Sequence, residues 1–260
     1  MAVVSGTKLA VSGMPTVARW EVTALKETVP VVTSGTQRGI LRACGFTDWT
    51  GRIDCLGWPS KTPGTKFTFT GSIDGTNGAT GDAYVEEVQV IGDYESNSPI
   101  MTVYQLTGDG ELTFGAAAAT DASLPTVVCT AATAVTGVTG DVAAWVGIVR
   151  CRGIPYASSQ TAGARKREPG AIEALAVIDL YLGSTVPDVG DTTDIVLGGT
   201  EGVSITGAVV TRVEEYGPDT TVIINGQELS RFRVHYEHSA SSTSNQVKIG
   251  GVTIWPPSGS

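Results

Sequence analysis

Lys66-Phe67-Thr68-Phe69-Thr70-Gly71-Ser72-Ile73 alternates apolar and polar residues almost without a break, which is the period of a half-buried strand. Ala83-Tyr84-Val85-Glu86-Glu87-Val88-Gln89-Val90-Ile91, ended by Gly92-Asp93, reads the same way, and Ile100, Thr102, Tyr104 and Leu106 share one face of a third strand. Residues 203–213 and 232–236 carry the pattern into the second half. Turn residues separate these runs at Asp74-Gly75, Gly108-Asp109-Gly110, Gly217-Pro218-Asp219 and Asn225-Gly226. The glycine-rich residues 75–82 read as a wide hairpin loop, and only residues 168–175 offer a helical turn or two. The expected fold is all-β, an antiparallel sandwich or small barrel with little helix.

Composition agrees. Glycine fills 33 of 260 positions, well above the usual ~7%, and charged residues make up only 17% where ~25% is typical. With 41% apolar residues the chain can bury a core and is not a disordered polymer. Lys and Arg number 17 against 26 acids, a net charge of −9, which opposes binding of a phosphate backbone through a broad basic face. Residues 1–6 show neither the basic nor the apolar region of a signal peptide, and no apolar run approaches the ~20 residues of a membrane span. Synthesis in the cytoplasm is expected. Cys44, Cys55, Cys129 and Cys151 form no CxxC pair. The spacings would let Cys44 bridge Cys55, or Cys129 bridge Cys151, across a hairpin, whereas a cytosolic product keeps all four reduced.

A constant offset of 125 residues aligns the two halves. Val17-Ala18-Arg19-Trp20 falls on Val142-Ala143-Ala144-Trp145, Pro30 on Pro155, Ser34 on Ser159, Thr36 on Thr161, Arg42 on Arg167, Gly45 on Gly170, and Ile53-Asp54 on Ile178-Asp179. Ala83, Val85, Val88 and Gly92 fall on Ala208, Val210, Val213 and Gly217. The shared register of two of only five tryptophans points to two tandem copies of one β domain. The expected organisation is residues 1–117, a small-residue linker at 118–125, residues 126–240, and a C-terminal extension at 241–260. In that extension residues 247–255 read as a hairpin about Gly250-Gly251.

No arrangement for catalysis emerges. His235 and His238, the only histidines, lie three apart in a strand pattern and point to opposite faces, a poor metal pair. No Gly-x-Ser-x-Gly elbow and no phosphate-binding Gly-Lys-Ser/Thr occurs. Asp54 and Asp179 are related by the offset and sit between apolar neighbours, which suits a fold or interface contact better than a paired-carboxylate cleft. Trp20 and Trp145 read as core. No metal or cofactor is expected. Two polar, small-residue segments at matching positions, residues 33–39 and 158–167, stand out as contact loops. They carry Thr36, Arg38 and the dense basic triplet Arg165-Lys166-Arg167. The triplet reads either as a solvated loop or as a contact with an acidic neighbour.

Gly6-Thr7-Lys8-Leu9-Ala10-Val11-Ser12-Gly13 followed by Thr16-Val17-Ala18-Arg19-Trp20-Glu21-Val22 resembles the opening of the major tail tube proteins of siphophages, a short hairpin and then a strand bearing an aromatic. Residues 42–54, and the strands at 83–91 and 100–106 closed by residues 108–114, are similar to the family's later portions. One departure is that family members carry a helix after the strand equivalent to residues 52–56, where Gly57-Trp58-Pro59-Ser60-Lys61-Thr62-Pro63-Gly64 leaves no room for it. The resemblance implies a virion structural protein whose rings stack into the tail tube, trimeric with pseudo-sixfold symmetry when the domain is duplicated. It implies contacts with itself, with tape-measure and tail terminator proteins, and with DNA passing through the lumen without specific binding. Thr36, Arg38, Arg165, Lys166 and Arg167 become candidate assembly contacts. A capsid decoration or distal tail (baseplate) protein, and a carbohydrate-binding or adhesin module using Trp58 as a stacking platform, are the other classes such a sequence admits.

Overall fold

A computed structural model of the chain describes residues 2–9, 14, 16–31, 41–118, 129–157, 164–182, 186–216, 222–224, 227–240 and 244–256. The strands are β1 (Ala2–Gly6), β2 (Lys8–Leu9), β3 (Thr16–Val31), β4 (Leu41–Leu56), β5 (Lys66–Ser72), β6 (Asn77–Asp93), β7 (Met101–Ala116) and β8 (Val135–Thr136). The second half continues with β9 (Asp141–Tyr156), β10 (Lys166–Leu182), β11 (Thr192–Leu197), β12 (Val203–Glu215), β13 (Val222–Ile224), β14 (Gln227–His238), β15 (Val247–Ile249) and β16 (Val252–Trp255). Among the described residues the only helical pieces are single 3-10 turns at Thr130–Ala132 and Gly199–Glu201. The fold is all-β, as its alternating segments lead one to expect.

The strands make one antiparallel sheet that does not close, in the order β1-β3-β4-β7-β6-β9-β10-β14-β12-β11-β8. The N-terminal half contributes β3-β4-β7-β6 with β5 beside β6, and the C-terminal half contributes β9-β10-β14-β12 with β11 beside β12. Registers coincide as well. Trp20 faces Ile53 and Trp145 faces Ile178, the offset of 125 on both strands. Bulges interrupt β3/β4 at Val17/Arg19 and Lys26/Thr28, and β9/β10 at the matching Asp179/Leu180 and Pro169/Ile172. The bulge at Val85/Glu87 between β6 and β7 recurs at Val210/Arg212 between β12 and β14.

The two halves are joined into this sheet by β6 and β9, paired from Glu87↔Arg150 to Asp93↔Ala144. Their buried side chains form a single apolar cluster that contains Trp20, Trp49, Phe69, Trp145, Ile178 and Val234 alike. Period-two burial explains the pairing. Along β9, Ala143, Trp145, Gly147, Val149 and Cys151 are buried while the residues between them are partly exposed, and each large side chain so buried contributes ~1.5–3 kcal/mol. Trp20 meets Phe69 edge-on, centroids 5.4 Å apart.

Several local expectations are corrected. Residues 168–175 lie inside β10 rather than in a helical turn, because β9 pairs along that stretch and β14 joins the other edge from Leu175 onward; Pro169 sits at a bulge, where a missing N–H is tolerated. Residues 77–82 belong to β6, not to a loop. Gly78 permits a close strand approach, since a Cβ there would fall 1.9 Å from the Gly71 carbonyl oxygen. Gly108-Asp109-Gly110 is not a turn but lies within β7. At the N-terminus β1 adds to β3, and β2 to β5; the hairpin expected at residues 6–13 falls partly outside the described residues. Cys44 and Cys55 lie eleven residues apart on β4, ~36 Å at ~3.3 Å per residue, which excludes a bridge; Cys55, Cys129 and Cys151 are free thiols. The expected C-terminal hairpin is present as β15–β16, turning on Gly250 and Gly251 with φ of +56° and +77°. The proposed linker at 118–125 falls almost entirely outside the described residues.

Candidate functional site: the seam between the halves

Three of the five candidate assembly residues converge on one place. Arg165 precedes β10 and Lys166 and Arg167 begin it, so the triplet is not a solvated loop. Arg167 is buried. Its guanidinium forks onto the Asp48 carboxylate at 3.2 and 3.0 Å and also donates to the Gly108 carbonyl, while its backbone N–H donates to Asp109 Oδ1 at 2.6 Å. Arg165 reaches Glu27 at 2.7 Å and Asp48 at 3.6 Å. Lys166 lies 4.0 Å from both Asp82 and Asp109, and Lys66 bridges Asp109 at 3.5 Å and Glu168 at 3.1 Å. The acidic neighbour of the triplet is therefore the N-terminal half of the same chain. Thr36 and Arg38 lie outside the described residues.

Packing completes this seam. Gly92 lies against the Trp145 ring, and a Cβ there would meet Cε2 at 2.4 Å. The buried Tyr84 hydroxyl donates to the Cys151 carbonyl at 3.0 Å, and burial, followed by the Cys151 contact, raises its pKa. The Tyr84 ring covers Gly153, and Arg150 pairs with Glu87, which raises the Arg150 pKa. Trp58 is half-buried against Gly198 and the core, so it is not the open platform a sugar-stacking role requires. Sequence reasoning missed Asp48, Asp109 and Tyr84, whose seam partners lie 58 to 119 residues away.

Elsewhere Asp179 is buried and takes two bonds from Arg233, at 2.7 and 2.8 Å, with Arg231 at 3.4 Å. It is a fold contact, as its apolar neighbours lead one to expect. Both arginines lie over the Tyr216 ring, and Tyr181 donates to Glu95. Asp54 pairs with Arg52 at 2.7 Å. His235 lies 3.7 Å from Glu214, whereas His238 packs on Trp255. Among the described residues no group of three metal-ligating side chains converges, and no helix is long and apolar enough to cross a membrane. No protein-family model and no curated protein matches this sequence.

Proposed function

We propose that the chain is a tandemly duplicated structural subunit that polymerises with itself, and that the polymer is the stacked-ring tube of a phage tail through which DNA is ejected. The observation that carries the self-assembly reading is the seam. Two halves with the same strand order and three matching bulges are joined edge to edge, and such a joint can be continued between molecules by the outer edges of the same sheet. The resemblance of residues 6–22 and 42–54 to siphophage tail tube proteins supplies the tube. In that reading a trimer presents six similar units, and tape-measure and terminator proteins bind the ends of the stack. Acids left on the luminal face keep DNA from adhering.

Negative-stain microscopy of the purified full-length protein tests the reading. Hollow tubes or threefold rings are expected, and a stable monomer retained on carbohydrate columns would refute it. The half-buried position of Trp58 weighs against that adhesin alternative; for a capsid decoration or baseplate subunit the same images would show capsid-bound knobs or closed discs that never stack.

A further inference from the structure

The seam shows what should lie beside β12, and among the described residues of one chain that place is vacant. β6 carries β5 on one edge along residues 78–84 and then, on the same edge, β9 along residues 87–93. β12 carries β11 on the matching edge up to Val209, and among the described residues no strand pairs with that edge along residues 211–215. The loop before it is the same in both halves. Gly64 and Thr65 exchange backbone bonds of 2.8 and 2.9 Å with Val85, and Gly190 and Asp191 exchange bonds of 2.8 Å each with Val210. Yet a Cβ on Gly64 would meet the Cys151 sulfur at 3.4 Å, whereas one on Gly190 would meet nothing within 4 Å. Among the described residues, the strand that fills the first place has no counterpart at the second.

The counterpart of β9 is β3, whose corresponding edge is already occupied by β1. β1 follows the seam's register: Val4 opposes Val22 and Gly6 opposes Trp20, as Val90 opposes Gly147 and Gly92 opposes Trp145. Gly6 also lies under the Trp20 ring, where a Cβ would come within 2.9 Å of Cζ2. We infer that β1 is a placeholder strand, and that in assembly it leaves β3 so that the β12 edge of a second copy takes its place. This inference rests on the self-assembly reading above.

Carried over from the seam, the register sets Arg212 of one copy against Leu25 of the next, Val213 against Ala24, Glu214 against Thr23 and Glu215 against Val22. Charge fits at one further point: Cys151 beside Gly64 becomes Lys26 beside the Val186–Asp191 loop, where Asp188 and Asp191 line a cavity of about 360 Å³. Glu215 accounts for the placeholder. It occupies the position of the buried Val90, on the face shared with Phe232, where β1 offers Val4 instead. A lone chain thus holds β1 more tightly than it would hold an acid, and exchange is favoured only when the remaining seam contacts form together.

Locking β1 tests this directly. Val3 and Thr23 are direct cross-strand partners, within the Cα separation a disulfide needs, so a Val3→Cys/Thr23→Cys chain in a Cys129→Ser background ties β1 to β3 when oxidised. Light scattering and sedimentation of this full-length variant should show assembly when reduced and at least tenfold slower assembly when oxidised; equal assembly in both states overturns the inference. Should the unlocked chain stay monomeric, one lacking residues 2–6, shown folded by circular dichroism, is expected to assemble, and its remaining monomeric also overturns it. Glu215→Val should speed assembly, while Lys26→Glu, set against Asp188 and Asp191, should slow it. Tubes indifferent to the lock would refute the placeholder and leave the tube standing; lock-dependent filaments without a lumen would do the reverse.

Discussion

Replacing Arg167 by Met keeps the aliphatic stem and removes the fork that holds the seam. The guanidinium and the Asp48 carboxylate it grips are only 9% and 19% exposed. Deleting one partner of a buried pair costs ~3–5 kcal/mol, because the other charge is left without compensation. Here Asp48 retains the backbone N–H of Trp49 at 2.9 Å and Arg165 at 3.6 Å, while Gly108 loses a donor. That lowers the expected loss to about 2–3 kcal/mol. At ~2–4 °C per kcal/mol for a chain of this size, Tm should fall by roughly 4–12 °C. Arg19, paired with Glu21 at 63% and 40% exposure, is the contrast: Arg19→Met should stay within ~0.5 kcal/mol. Urea unfolding followed by tryptophan fluorescence reads both, since Trp49 and Trp145 flank the seam. Adding Asp48→Asn to Arg167→Met should recover about half of the loss, because both charges are then gone. A loss below ~1 kcal/mol at Arg167, or one no larger than at Arg19, would refute the seam as a buried electrostatic joint.

Other consequences are open to similar measurement. Gly92→Ala should destabilise by about 1–3 kcal/mol through overpacking against Trp145, and Trp145→Phe in the same chain should return part of it; additive losses in a double-mutant cycle would contradict the contact. Burial, followed by the Asp54 charge, pushes the Cys55 thiol up to about 12, and Cys151 is buried. Brief alkylation of the native protein should therefore modify Cys129 well before either, as read by peptide mass spectrometry. Burial lowers the His238 pKa below its usual 6.5, against a smaller opposing bond from the Asn245 carbonyl. The folded state then binds fewer protons than the unfolded one, so stability is full above pH ~6.5 and declines as pH falls from there toward the lowered value. His238→Gln should flatten that part of the pH–stability curve, and an unchanged slope would remove His238 as its source.

Alternation was legible where one face of a strand is buried and the other is not, as along residues 66–72 and 83–91, and the paired register of Trp20 and Trp145 was legible because few residues are so rare and so large. What stayed hidden has a common cause. Asp109 sits between two glycines and looks like a turn, yet the Trp49 ring lies across Gly108, where a Cβ would come 2.4 Å from Cδ1, and the Trp49 indole donates to the Gly110 carbonyl at 3.2 Å. Glycine marks a place for another side chain at such positions, and local sequence does not distinguish that use from a bend. Likewise residues 168–175 contain good helix formers, but pairing with β9 overrides so short a preference. The basic triplet showed its charge and not its partner, because the partner is brought in by the β6–β9 joint.

The abundance of glycine and the shortage of charge then have one structural origin. Gly6 lies under Trp20, Gly92 under Trp145 and Gly108 under Trp49, and two of these three contacts sit on strand joints that the offset of 125 relates. A chain that builds its joints from rings laid over bare backbone needs few ion pairs to specify register, and it concentrates the pairs it has, Arg167–Asp48 above all, at the one joint formed in cis. The outer edges lack such a fixed clamp: β3 is covered by a five-residue strand, and β12 carries Glu215 where its counterpart carries valine. Both features oppose indiscriminate edge-to-edge association, a familiar hazard of open sheets. In the proposed assembly, the same small set of residues serves both the seam within the chain and the guarding of its outer edges.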